Sequence, residues 1–97
     1  DIFWARLAFQ PDRLDDLLAF LEKYRSRIAL LHMKDLAPNG AVTDLGAGTT
    51  DWRRVIEAAG PQIAYYVYEF DFPADPVKSA TIGFNYLTCG EKKPAGT

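Results

Sequence analysis

Ile28-Ala29-Leu30-Leu31-His32-Met33-Lys34-Asp35 is a short apolar run that closes on the chain's single histidine and then two charges. An unbroken apolar run of this length reads as a strand buried on both faces, the kind found in parallel sheets. A strand that keeps its imidazole and carboxylate for the C-terminal tip is how an α/β barrel presents site residues. The rest of the chain is read outward from this strand.

Upstream, Leu14, Leu17, Leu18, Leu21 and Tyr24 recur at helical spacing after Pro11, with Asp12, Asp15, Asp16, Glu22 and Lys23 largely on the opposite side. That pattern predicts an amphipathic helix starting near Pro11 and closing at Ser26-Arg27, with a solvated charged face. Before it, Asp1-Ile2-Phe3-Trp4 reads as the end of a strand. Downstream, Ala37 to Thr50 is a loop rich in Pro, Asn and Gly, long enough to suggest function or disorder. Thr50 or Asp51 then caps a helix with Trp52, Val55, Ile56 and Ala59 on one side, ended by Gly60. Ile63 to Glu69 is a second strand, Phe70 to Pro73 a turn, and Asp75-Pro76 opens a last helix with Val77, Ala80, Thr81, Phe84 and Leu87 facing inward. Residues 90–97 read as a polar, flexible tail.

Strands that alternate with helices imply parallel pairing and right-handed crossovers. Two complete strands under three helices bury little surface and leave edges in need of neighbours. The 97-residue chain is therefore expected to be the C-terminal piece of a larger α/β barrel, a self-contained three-layer domain being the less favoured alternative. The formal charge of −2 and the scattered basic residues point away from nucleic acid and membrane surfaces. No apolar run approaches the roughly 20 residues of a bilayer span, and the first residues carry no signal-peptide pattern. A cytoplasmic location is expected, with secreted or periplasmic placement left open. One cysteine, Cys89, cannot form an internal disulfide and reads as an ordinary thiol.

Asp1, His32 and Glu69 each close a strand pattern, at intervals close to one strand-helix unit. In a parallel barrel that spacing sets the three side chains side by side on one rim. An imidazole with two carboxylates suits a divalent cation such as Mn, Mg, Co or Zn.

The segments Asp1-Ile2-Phe3-Trp4, Leu31-His32-Met33-Lys34-Asp35, Leu45-Gly46-Ala47-Gly48-Thr49-Thr50-Asp51-Trp52 and Val67-Tyr68-Glu69-Phe70-Asp71 resemble successive motifs of the sugar phosphate isomerase/epimerase-like barrels. This is the xylose isomerase-like superfamily, with its ketose 3-epimerases, hydroxypyruvate isomerase and inosose dehydratase. The resemblance implies an α/β fold, residues 1–97 being a partial TIM (β/α)8 barrel from the end of the sixth strand to the eighth helix. It implies that Asp1, His32 and Glu69 are metal ligands, that Glu69 also exchanges a proton with substrate carbon, and that a fourth ligand lies on an earlier strand.

Further roles follow from the chemistry so implied. Lys34 is a candidate to steady a developing oxyanion, and with Trp4 and Asp71 to contact substrate. Asp35 or Asp71 is a candidate to orient His32 from behind. Two departures from the family pattern stand out: Trp4 occupies a position often held by His, and Ala47 replaces the Glu of a Gly-Glu-Gly loop. The implied partner is a small sugar or polyol, and a homo-oligomer is compatible. The implied activity is isomerisation or epimerisation by proton abstraction next to a carbonyl. The alternatives are a dehydratase or lyase on a keto-sugar or inosose, or an inactive or purely structural piece when the chain is isolated. A DNA-repair endonuclease of the superfamily would need several histidines around several zinc ions, and this chain has one His.

Overall fold

The computed structural model describes residues 1–89; the stretch 90–97, read above as a tail, lies outside the described residues. The chain is a small α/β unit whose order is α1 (Ile2–Ala8), α2 (Leu14–Lys23), a 3-10 turn (Arg25–Arg27), β1 (Leu30–Met33), β2 (Asp35–Leu36), β3 (Val42–Thr43), α3 (Trp52–Ala59), β4 (Tyr65–Tyr68) and α4 (Pro76–Thr88). Among the described residues no helix is long and apolar enough to cross a membrane.

β1 and β4 pair in parallel, with Leu30 opposite Tyr65, His32 opposite Val67 and Met33 opposite Tyr68. Side chains alternate across this pair. Leu31 and Met33 turn toward the helices and join Ile2, Leu17, Leu18, Leu21, Trp52, Val55 and Ile63 in the core. Leu30 and His32 take the other face. There Leu30 is 47%, Tyr65 70% and Val67 40% exposed, so the parallel sheet is covered on one side only.

The first four residues are not the end of a strand, as the sequence suggested, but the start of α1. The Asp1 side chain caps the helix by accepting the Trp4 N–H at 3.0 Å. Ile2, Phe3 and Arg6 bury one face, and their i, i+1, i+4 spacing is helical. In α2 the predicted stripe is buried at Leu17, Leu18 and Leu21. The charged face is solvated, with Arg13 bonding Asp16 and Arg54 of α3 bonding Asp15.

The expected inward face of α4 is corrected in part: Leu87 packs against the core, but the rest of the face turns out. Val77 is 77% and Phe84 66% exposed, whereas Ser79 and Gly83 are buried. The small residues face the strand because Tyr68 fills the space: a Cβ at Gly83 would stand 2.3 Å from the Tyr68 ring. Finally, the loop over 37–50 contains a short strand, β3, which turns back to pair antiparallel with β2 just before the loop.

Candidate metal centre

The parallel register decides what meets at the C-terminal end of the sheet. The Glu69 N–H extends the ladder by donating to the Met33 carbonyl at 3.2 Å. Two residues beyond Val67, the Glu69 side chain emerges on the face that carries His32. Its Oε2 lies 2.8 Å from His32 Nδ1. Asp1 approaches the same nitrogen from α1, its Oδ2 at 3.8 Å while Oδ1 holds the Trp4 N–H. The three residues each offer one ligand atom, and these atoms lie within 4.8 Å of one another. Two oxygens and one nitrogen from three separate elements make a donor set suited to a hard or borderline divalent cation. The side chains stay partly open, His32 at 44% and Glu69 at 34% exposure, so small molecules can reach them.

The remaining candidates are placed differently. Lys34 is 1% exposed. Its ammonium bonds Oδ2 of Asp71 and lies 5.0 Å from the ring centres of both Phe3 and Trp4. Lys34 and Asp71 thus engage each other, and as placed the lysine has no open side from which to meet a substrate oxygen. Trp4 is 58% exposed. It stands edge-to-face with Phe3, ring centres 5.0 Å apart.

Asp35 does not orient His32. Its carboxylate is 1% exposed and accepts the N–H groups of Leu36 at 2.8 Å, Gly46 at 2.9 Å, Gly48 at 3.1 Å and Thr50 at 3.3 Å, and the Trp52 indole at 3.1 Å. A buried carboxylate is tolerable only when its lone pairs are met in this way. The result is a knot that fixes the 44–50 loop against the end of β1. Arg6 backs it with hydrogen bonds to Thr49 Oγ1, Thr50 Oγ1 and the Pro11 carbonyl at 2.7, 3.0 and 2.7 Å. Burial lowers the Arg6 guanidinium from its usual range, and the nearby Asp35 charge opposes that shift.

The two glycines of the loop serve the knot. Gly46 has φ +90°, which L side chains rarely adopt. A Cβ on Gly48 would lie 2.4 Å from Asp35 Oδ1 and 2.7 Å from the Leu36 carbonyl oxygen. Neither the Asp35 knot nor the role of Arg6 was visible in the sequence. The available signal was the Gly46-Ala47-Gly48 turn followed by Thr49 and Thr50. Comparison of the chain with protein-family models, with curated proteins and with solved structures returned no match.

Proposed function

We propose that Asp1, His32 and Glu69 are ligands of a divalent metal in a sugar isomerase or epimerase, and that this chain is the C-terminal portion of its (β/α)8 barrel. One observation carries the reading: side chains from α1, β1 and the end of β4 converge so that one atom of each lies within 4.8 Å of the others. These three residues would hold the cation, whose chemistry there would be that of a Lewis acid on the adjacent hydroxyl and carbonyl oxygens of a keto-sugar, making the proton on the carbon beside the carbonyl more acidic.

Glu69 is the acid/base. One of its oxygens, Oε2, lies inside the cluster, 2.8 Å from His32 Nδ1, so Oε1 is the one left to take the proton from carbon. The C–H electron pair moves into the C–O π system of the substrate. Delivery of a proton to the opposite face of the same carbon, by a second acid on an earlier strand, inverts it; return by Glu69 to the neighbouring carbon exchanges ketone and aldehyde. Asp1 contributes Oδ2, its other oxygen being held by the helix it caps. The exposed ring of Trp4 supplies a flat wall for the sugar.

The barrel reading draws on the uncovered sheet face. Parallel sheets are normally covered on both sides, yet Leu30, Tyr65 and Val67 stand open here. Further strands closing a barrel would bury that face and bring additional side chains to the same rim.

The test is metal-dependent exchange of solvent deuterium into ketoses by the barrel that contains this chain. Glu69→Gln is expected to lower exchange by about 10²–10⁴-fold, the usual contribution of a general base. Retention of exchange in Glu69→Gln would remove Glu69 from the role, and loss of water from the substrate without exchange would indicate a dehydratase.

A further inference from the structure

Each of the three clustered residues is followed, two or three positions on, by a side chain that either carries one shared ammonium or contacts it. Phe3 and Trp4 follow Asp1, Lys34 follows His32, and Asp71 follows Glu69. We infer that Lys34 is a positioning residue: its buried ammonium joins the carrier segments of Asp1, His32 and Glu69 and so holds their side chains at bonding distance. The inference rests on the metal-centre reading for its functional meaning, but its geometry stands apart from that reading.

The Lys34 side chain is 2% exposed, and an ammonium removed from water needs compensation from a fixed set of partners. Asp71 provides the opposite charge, and the faces of Phe3 and Trp4, each 5.0 Å from Nζ, provide the electron-rich surroundings. Because these contacts satisfy the charge only together, moving any one segment exposes or strands it. Asp1 and Glu69 carry like charges drawn toward one imidazole, an arrangement that tends to spread unless its carriers are tied. Lys34 is the tie. Its engagement with Asp71 also keeps that carboxylate turned to the lysine instead of adding a third negative charge to the cluster.

The test uses the full 97-residue chain in two arms. In the first, without metal, nuclear Overhauser contacts are recorded between the His32 ring and the side chains of Glu69 and Asp1. Lys34→Met keeps the aliphatic stem and removes the charge. It is expected to lose those contacts while the amide spectrum of β1 and β4 persists. Contacts retained in Lys34→Met would overturn the inference.

In the second arm, MnCl₂ is added and paramagnetic broadening of the His32 resonances is followed. Lys34→Met is expected to need at least about tenfold more Mn²⁺ for half-broadening, about 1.4 kcal/mol. Equal Mn²⁺ sensitivity in variant and wild type would leave Lys34 with a purely structural role and sink the inference. Should Lys34→Met not fold, Asp71→Asn at a half-exposed position serves in both arms with the same expected direction and the same overturning outcome. Wild type that shows the contacts but no broadening would count against the metal reading alone, leaving the positioning of the cluster to be decided by the first arm.

Discussion

Two carboxylates at strand ends, Asp35 and Glu69, look alike in the sequence and are opposites in the fold. Asp35 is 1% exposed and receives five N–H donors, four from the backbone and one from an indole. Glu69 is one-third exposed, with one oxygen on the His32 imidazole. The first has its lone pairs filled by its own chain and can only hold structure. The second keeps acceptor capacity turned toward a histidine and another carboxylate, which is what ligand binding requires. Donor saturation, more than proximity to the histidine, separates the acid that is fully occupied by its own chain from the one that is not.

That contrast can be broken by mutation, and the largest effect is expected at the knot. Asp35→Ala leaves several partly buried N–H groups without acceptors, and its cost is expected to be on the order of 3–5 kcal/mol. In a chain this small that is most of the stability, so urea unfolding should find the variant largely unfolded. A variant as stable as wild type would mean that water replaces the carboxylate at no cost, and the contrast would fail.

Gly48→Ala is expected to cost about 1–3 kcal/mol in the same assay. The added Cβ collides with Asp35 Oδ1 and with the Leu36 carbonyl, and the backbone oxygen cannot swing aside. A neutral result would show that the loop is looser than the five donors imply.

Across the contrast, Glu69→Gln should change stability by no more than about 0.5 kcal/mol, since partly exposed ion pairs contribute little. Loss of stability comparable to that of Asp35→Ala would make Glu69 a second structural acid. The smallest effect lies in alkali. Burial, followed by the charges of Asp35 and Asp51, raises the Tyr86 phenol above its ordinary 10.0. Above that pH the unfolded chain releases a proton that the folded chain retains, so stability should fall as pH rises through this window. Urea midpoints measured on either side of pH 10 check the sign.

Much of the scaffold was legible because its signals are local. The leucine stripe of α2, the Asp51 cap with Gly60 closing α3, and the apolar run of β1 each follow from side-chain period and backbone preference. The misreadings occurred where period and partner diverge. Asp1-Ile2-Phe3-Trp4 is too short a stretch for its period to be distinguished, and the Asp1 cap to Trp4 settles it as helix. In α4 the apolar residues Val77 and Phe84 outscore Ser79 and Gly83 on hydropathy. Yet the bulk of Tyr68 on the neighbouring strand admits only the small pair.

The candidate centre divides in the same way. His32 and Glu69 could be placed at one rim from residue type and interval, because alternating strands and helices return the chain there at regular spacing; Asp1 reaches the same cluster by another route, as the N-cap of α1. The assignments of Lys34, Asp71 and Asp35 could not be settled so. An ammonium or carboxylate one or two positions from a site residue can face it or turn away, and only the competing partners decide which.

By itself, then, the sequence determined the alternation of strand and helix, the parallel pairing that follows from it, and the places of His32 and Glu69 at the end of that pair. The tertiary structure decided that Asp35 closes a loop, that Lys34 is spent on Asp71 and two aromatic rings, and that one sheet face stays bare. The division has a physical reason: periodicity is a property of neighbours along the chain, whereas the satisfaction of a buried charge depends on groups brought together from across the fold.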